Sequence, residues 1–393
     1  MAAGAAAPAE AATLRARTDA EAIAAAGRIV RGRIEAVRTE RRPGSGVIET
    51  VARLRVIDDY TGGAERTFEI RELGGTLGEH TLAVPGAATF IVGDDIVALV
   101  ERHGNQWRPS AMSASVYGVR SSSAGLQLIS QGADLPTLGG PATPARRALS
   151  GFTEAVRRVR GREPLRLSAP DAPVVGALGT ATPAVEAFKL LGNMRWHEAD
   201  SGTPVVWYRN TLTNSPLTSG NSDAELATAM AAWTEPTSAS LTLTYGGTRG
   251  PMAASTLLNC GAPPVPGAGL ITYEDPDDDI TTSGVIAIGG ACYSSVSRTV
   301  NGTNFSKITS GFVVFTTKAE MPQLGTSLFL TRVATHEVGH AIGLGHTPTD
   351  GTVTAATSNI MYPSCCQSVT PVPPAIGPDD KAGLDFIYPM PSE

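Results

Sequence analysis

Apolar and polar residues alternate in several short runs along the amino-terminal third of the chain. Residues 52–56 alternate apolar side chains with arginine, and residues 68–71 alternate them with glutamate and arginine. This period of two is typical of strands with one buried face, and the wholly apolar residues 96–100 predict a central strand. Turns containing glycine or proline separate the runs. We therefore predict a small all-β, barrel-like domain over residues 27–120, with the OB barrel as one candidate form.

Two segments of different composition flank this domain. Residues 1–26 are rich in alanine and predict a short helix or an irregular lead-in. Residues 121–185 form a predicted linker, which contains one basic amphipathic helix at 148–160 with the apolar positions Leu149, Phe152, Val156 and Val159. That helix could bind a partner or plug a cleft, but packing against the neighbouring domain explains the same pattern.

Residues 186–393 combine helical and strand patterns. Leu226, Met230 and Trp233 form an apolar stripe on a predicted helix, and residues 240–245 alternate like a strand. The apolar positions of residues 328–335 predict a further helix that packs on a core. We therefore predict an α+β fold for this part of the chain.

The length, the charge and the composition of the chain argue against nucleic-acid binding and against a membrane-spanning segment. The chain has 393 residues, a formal net charge of −6 and 17% charged residues. This length suits two or three domains. The chain has no sustained basic run of the kind that nucleic-acid binding needs, and no apolar stretch of the roughly 20 residues that cross a bilayer. Its first ten residues lack the basic start and leucine-rich core of a signal peptide.

Three of the six histidines belong to one motif, H-E-x-x-H-x-x-G-x-x-H, formed by His336, Glu337, His340, Gly343 and His346. Residues four apart share one face of a helix, so His336 and His340 can bind the same metal ion. Gly343 lets the chain leave the helix through a left-handed turn, after which His346 can supply a third nitrogen. Three protein ligands leave one position of a tetrahedral zinc for water, which is typical of catalytic zinc.

Glu337 is placed beside the zinc ligands without being one of them. Zinc lowers the pKa of a bound water to about 7. Glu337 can take the proton of this water as it attacks a peptide carbonyl, and can then pass the proton to the departing amine. These residues predict a zinc-dependent endopeptidase that cleaves proteins or peptides.

The motif resembles that of the metzincin metalloproteases. The sequence G-L-G-H-T at residues 343–347, followed by I-M-Y-P at residues 360–363, is most similar to the matrixins, the matrix-metalloprotease type. The similarity covers about residues 186–390. It implies a catalytic domain with a twisted mixed sheet, three helices and a zinc cleft. It also implies a secreted bacterial enzyme, which we expect to be monomeric.

The same resemblance assigns roles to residues outside the histidine motif. Met361 is expected to form an apolar floor beneath the three histidines. Residues 358–363, which contain Met361, correspond to the methionine turn of the family. Residues 379–388 look like its closing helix, where the pair Asp379 and Asp380 ties the helix to the methionine turn and to the amino terminus of the domain. Tyr362 and Pro363 are expected to shape the substrate pocket.

Residues 284–290 resemble the strand at the edge of the family's substrate cleft. The free backbone groups of Ala287 and Ile288 would pair there with an extended peptide. The alternative is an ordinary interior strand that ends at the glycine pair Gly289 and Gly290.

A cluster of acidic residues offers a second metal site. Asp275, Asp277 and Asp279 bring together several hard oxygen ligands, which suit calcium. The cluster lacks a defined calcium-loop pattern, so a solvated acidic turn is the competing explanation and the one we favour.

All four cysteines lie between residues 260 and 366. We expect Cys260 to pair with Cys292, whereas the adjacent Cys365 and Cys366 could form a vicinal bridge, stay reduced or bond to separate partners. Buried, reduced thiols are an alternative for all four. Enzymes of the resembled family often keep a propeptide cysteine on the zinc. No cysteine precedes Cys260, so latency would need another mechanism.

Two alternatives to a general endopeptidase stay open. The chain could be a binding or adhesion protein in which the amino-terminal β-domain is functional and the protease domain is vestigial. The protease could also serve only self-processing. All residues of the histidine motif are intact, which argues against a vestigial site.

Overall fold

A computed structural model describes residues 13–15, 17–132, 137–138, 146–170, 188–236, 238–263, 265–276, 285–317, 322–348, 358–363 and 372–391. Over these residues the chain is mixed α+β, as expected, and it contains two β-sheets. None of the helices in the described ranges has both the length and the apolar character that crossing a bilayer requires.

The first part of the chain is mostly strand. In chain order its elements are β1 (Thr13–Arg15), α1 (Asp19–Ala25), β2 (Arg28–Arg41), β3 (Ile48–Asp59), β4 (Thr67–Leu73), β5 (Gly75–Leu77), β6 (His80–Ala83), β7 (Asp95–His103), β8 (Gln106–Ser113), β9 (Val116–Ser122), β10 (Gly125–Ser130), β11 (Thr137–Leu138), β12 (Arg146–Ala148), α2 (Leu149–Arg160) and β13 (Leu165–Arg166).

The second part alternates strands and helices. Its elements are β14 (Met194–Arg195), a 3₁₀ turn (His197–Ser201), β15 (Val205–Asn210), α3 (Asp223–Thr234), β16 (Leu243–Arg249), α4 (Ala254–Leu257), β17 (Ala268–Thr272), β18 (Val285–Val300), β19 (Thr303–Phe315), a second 3₁₀ turn (Pro322–Gly325), α5 (Ser327–Ala341) and α6 (Pro378–Ile387).

One sheet, called the amino-terminal sheet below, has the order β12-β10-β9-β7-β2-β3-β13, with β4 added to β3 and β8 added to β7. The strands predicted at 52–56, 68–71 and 96–100 are confirmed as parts of β3, β4 and β7, and β7 is central as expected. The predicted helix at 148–160 corresponds to α2. It buries Leu149, Phe152 and Val156 against this sheet.

Strand pairing continues past residue 120, where the sequence predicted a linker. β10 pairs with β9 and with β12, and β13 pairs with β3. The described residues from 121 to 170 therefore help to build the amino-terminal sheet. In β10 only Leu128 is a fully buried apolar side chain, which explains why its strand pattern is weak.

The other sheet, called the carboxy-terminal sheet, is mixed and has the order β11-β1-β18-β19-β17-β15-β16, with β14 added to β19 and β6 added to β18. Helices α3 and α5 share a core with this sheet. As predicted, Leu226, Met230 and Trp233 of α3 are buried, and they join Val333 and Val338 of α5 in that core. This packing places α5 directly beside β18.

The two parts of the chain also share a hydrophobic core. Side chains from residues 14–114 and from residues 257–314 form one buried cluster, which includes Leu14, Val47, Leu73, Leu82, Met112, Val285, Ile288, Cys292, Phe312 and Val314. Separating the two parts would return this apolar surface to water, at a cost of about 25 cal/mol per Å². The amino-terminal part is therefore firmly attached to the carboxy-terminal sheet.

Candidate metal centre

Helix α5 carries the first two histidines on a buried surface. From Leu330 to Ala341 every residue of the helix is buried, because its apolar side chains pack in the core with α3 and the carboxy-terminal sheet. The indole N–H of Trp233 also donates to the carbonyl of Thr335, at 2.9 Å. This bond joins α3 to α5 one residue before His336.

The turn at Gly343 brings the third histidine to the same place. Gly343 has a φ of +107°, and a β-carbon built on it would lie 2.6 Å from a backbone oxygen, so glycine is needed here. Beyond the turn, the N–H of Gly345 donates to a carbonyl of the segment before β14 at 2.8 Å, and the N–H of Thr347 donates to the carbonyl of Met361 at 2.9 Å. These bonds hold the backbone on both sides of His346.

The three imidazoles converge through their Nε2 atoms. Nε2 of His336 lies 3.0 Å from Nε2 of His340 and 3.2 Å from Nε2 of His346. Tetrahedral zinc with bonds of 2.0–2.1 Å would hold its ligand nitrogens about 3.3 Å apart. Among the residues that the structure describes, this is the one group of His, Cys, Asp or Glu side chains found to converge closely enough for a metal ion.

The remaining ring nitrogens of two histidines define their tautomers. Nδ1 of His336 donates to the carbonyl of Ile360 at 2.8 Å, and Nδ1 of His340 donates to the carbonyl of Leu344 at 2.7 Å. A carbonyl oxygen can only accept, so each Nδ1 carries the hydrogen and each Nε2 of a neutral ring presents a lone pair. Two lone pairs 3.0 Å apart repel each other unless a cation lies between them. This donor set fits a metal ion.

Burial keeps the three histidines neutral. Desolvation lowers the pKa of His336 to about 4, and it lowers the pKa values of His340 and His346 well below the ordinary value for histidine. Neutral imidazole is the form that binds metals. Near neutral pH, a metal ion therefore does not have to displace protons from these rings.

Glu337 lies in the same buried region and contacts the carboxy-terminal sheet through its backbone. A β-carbon built on Gly289 of β18 would lie 2.1 Å from the carbonyl oxygen of Glu337. Glycine at this position allows the strand to approach the helix closely. β18 is therefore the strand that lies against helix α5 at Glu337.

The methionine turn is fixed by the last helix. Asp380 of α6 accepts hydrogen bonds from the N–H groups of Ile360 at 2.5 Å, Met361 at 3.0 Å and Gly377 at 2.8 Å. Desolvation raises the pKa of Asp380 to about 7. The closing helix predicted at 379–388 is present as α6, and Asp380 makes the tie to the methionine turn that the resemblance implied.

The free strand edge expected at Ala287 and Ile288 is not found, and this expectation needs correction. Ala287 pairs with Thr13 of β1 on one side and with Phe315 of β19 on the other. Ile288 is buried in the core that the two parts of the chain share. The glycine pair does not end the strand either, because β18 continues to Val300. Local patterns could not reveal that a distant segment reaches this edge.

The other predicted site residues are only partly described. Tyr362 is half-buried and Pro363 is buried, directly after the methionine turn. The N–H of Asp275 donates to the carbonyl of Phe315 at 3.0 Å. Asp277 and Asp279 lie outside the described residues, so the calcium site stays a prediction.

The predicted disulfide between Cys260 and Cys292 is confirmed, with Cα atoms 5.1 Å apart. It joins the segment after α4 to β18. Cys365 and Cys366 lie outside the described residues.

Three contributions to the site were not predicted from the sequence. The carbonyls of Ile360 and Leu344 orient two histidines, and any residue type carries a carbonyl. In the sequence, Gly289 stood out only because it forms a pair with Gly290 that could end a strand. Its close approach to Glu337 depends on the packing of β18 against α5.

Comparison with known proteins assigns the chain to no family. No protein-family model matches it, and no curated protein matches it. The argument about function therefore depends on the histidine cluster and its surroundings.

Proposed function

We propose that the protein is a zinc-dependent endopeptidase, with a metzincin, matrixin-like catalytic domain over about residues 186–390. The observation that carries the proposal is the convergence of three buried Nε2 atoms, those of His336, His340 and His346. The helix, the glycine turn, the methionine turn and the closing helix around them are the arrangement that the resemblance implies.

His336, His340 and His346 would hold the zinc ion, and the carbonyls of Ile360 and Leu344 would keep two of the rings in the required orientation. When bound, zinc polarises the peptide carbonyl and lowers the pKa of the attacking water.

Glu337 follows His336 in the helix, and its side chain is buried in the same region. In the proposed reaction its carboxylate accepts the proton of the attacking water and then delivers it to the nitrogen of the departing amine. Gly289 supports this role, because its contact with the carbonyl of Glu337 holds the helix against β18 at this point.

Secretion is part of the proposal. The buried disulfide between Cys260 and Cys292 supports it, because structural disulfides persist in oxidising compartments. A monomeric enzyme that acts on protein or peptide substrates is also proposed.

The first test is metal content. The full-length chain should contain about one zinc ion per molecule by elemental analysis, as expected for a three-histidine site. A chelator should abolish cleavage of casein and of a fluorogenic peptide panel, and added zinc should restore it.

The second test separates metal binding from proton transfer. Glu337→Gln should retain the zinc and lose about 10²- to 10⁴-fold in turnover. Glu163→Gln is the matched control, because Glu163 is exposed and lies on the amino-terminal part of the chain. A full-length chain without zinc, or a Glu337→Gln variant as active as the unmodified chain, would contradict the proposal.

A further inference from the structure

Strand β18 has different neighbours along its two edges. One edge pairs with β19 from Ala287 to Val300. The other edge pairs first with β1, through Val285 and Ala287, and then with β6, through residues 291–294. Between these stretches, residues 288–290 have no strand partner on that edge among the described parts of the chain. Segments from the amino-terminal part therefore cover this edge on both sides of residues 288–290.

This covered edge lies beside the proposed metal centre. Gly289 is in the middle of the uncovered stretch, and it is the residue that packs against the carbonyl of Glu337. An extended peptide binds a sheet edge by pairing its backbone with free N–H and C=O groups. A peptide placed along residues 285–290 of β18 would therefore need the positions beside Val285 and Ala287 that β1 already occupies.

We infer that the amino-terminal strand β1 occupies the peptide-binding edge of this protein's own active site, so that cleavage of another protein requires β1 to leave β18. This inference rests on the proposed endopeptidase function. It supplies a form of latency that needs no cysteine. The occupant is extended backbone of the same chain, which is the chemical class of the proposed substrate.

The structure indicates which of the two covering strands can leave. β1 has only three residues, its register with β18 shifts between Thr13 and Leu14, and its other edge pairs only with the two-residue strand β11 among the described residues. Its described side-chain anchor is Leu14, which is 3% exposed and packs in the shared core with Val285. β6 is held more firmly. Residues 80–83 of β6 all pair with β18. The segments before and after β6 belong to the amino-terminal part of the chain, which shares its core with β18.

The decisive experiment weakens β1 in the full-length chain. Leu14→Asp places a charge in the shared core and should release β1. We expect the initial rate of fluorogenic peptide cleavage to rise by about ten-fold or more, because β1 has left β18 in a larger fraction of the molecules. Leu14→Ala should give a smaller rise in the cleavage rate. It replaces Leu14→Asp in the test if the aspartate variant does not fold. Ile91→Asp is the matched control, because Ile91 is 59% exposed and lies outside the shared core.

A second measurement reports the release of β1 without using activity. Hydrogen exchange of the amides of Val285 and Ala287, which are in register with β1, should accelerate in the Leu14 variants and not in Ile91→Asp. Amides of β7, in the amino-terminal sheet, should keep their protection in all variants and so report an intact fold. In the double variant Leu14→Asp, Glu337→Gln, exchange should stay fast while the gain in cleavage disappears.

The outcomes separate the two proposals. If exchange accelerates and the Leu14 variants cleave peptides at the same measurable, chelator-sensitive rate as the unmodified chain, the inference is overturned and the endopeptidase proposal stands. If exchange accelerates, zinc is bound and no variant cleaves any peptide, both fail. If exchange at Val285 and Ala287 is already fast in the unmodified chain, β1 is not held on β18 and the inference fails by itself.

Discussion

Gly339 of α5 and Met361 are in close contact. A β-carbon built on Gly339 would lie 2.3 Å from Sδ of Met361 and 2.6 Å from a ring carbon of Trp233. A glycine inside a helix costs about 1 kcal/mol relative to alanine. This contact explains the glycine, because any larger residue would push α5 away from the methionine turn. Helix α5, which carries two of the proposed ligands, therefore packs directly against Met361.

Gly339→Ala should destabilise the protein despite the better helix propensity of alanine. Overpacking a core costs about 1–3 kcal/mol, and we expect this cost to exceed the gain from propensity. Urea unfolding should show a lower stability, and zinc titration a weaker affinity. Gly151→Ala in α2 is the control, because a β-carbon there meets no atom within 4 Å. It should leave stability unchanged or raise it. Equal behaviour of the two variants would refute the packing argument.

Asp380→Asn should loosen the methionine turn. An amide has one acceptor oxygen where the carboxyl group has two, so at least one of the backbone N–H groups from Ile360, Met361 or Gly377 loses its partner. An unsatisfied buried group costs about 1–3 kcal/mol. Thermal unfolding and zinc affinity should both decrease. Asp385→Asn on the same helix is the control, because its partly exposed carboxylate bonds only to Ser238 and Lys381 in the described structure.

Removing the metal should lower the melting temperature, because a ligand that binds only the folded state stabilises it by RT ln(1 + [L]/Kd). The shift on adding a chelator should be several degrees in the unmodified chain and close to zero in His340→Ala. His103→Ala, at the end of β7, should retain the full shift. A chelator shift of equal size in all three proteins would place the bound metal elsewhere.

The amino-terminal sheet should lose stability as the pH rises from about 4.5 to about 7. Burial raises the pKa of Glu72 from 4.5 to about 7, although the N–H groups of Leu73 and Ala88 donate to its carboxyl oxygens. The folded state therefore binds the proton of Glu72 more tightly than the unfolded state does. This contribution to stability is complete below about pH 4.5 and is lost as the pH rises to about 7.

The size of this effect should be roughly 3 kcal/mol between the two ends of that window. Urea unfolding at several pH values, followed by a probe in the amino-terminal sheet, measures it. Arg108 and Glu49 lie near enough to act on Glu72 electrostatically, so the comparison is with Glu72→Gln. That variant should flatten the pH profile. An identical slope in both proteins would assign the dependence to another group.

Short-range patterns in the sequence determined the elements that carry the proposed chemistry. Spacing of four residues placed His336 and His340 on one face of α5, and Gly343 marked the turn that follows. Periodicity also located α2, α3, β3, β4 and β7. These features depend on residues close together in the chain, where helix and strand geometry leave few choices. The histidine cluster was therefore predictable almost completely.

Only the tertiary structure decided what surrounds that cluster. The pairing of Thr13 with Ala287, the contact of Gly289 with Glu337 and the carbonyl bonds to two histidines join segments that no local pattern connects. Backbone groups look alike at every position, so a sequence does not mark which strand will cover which edge. That choice follows from the packing of the shared core, in which Leu14 and Leu82 bring their strands to β18.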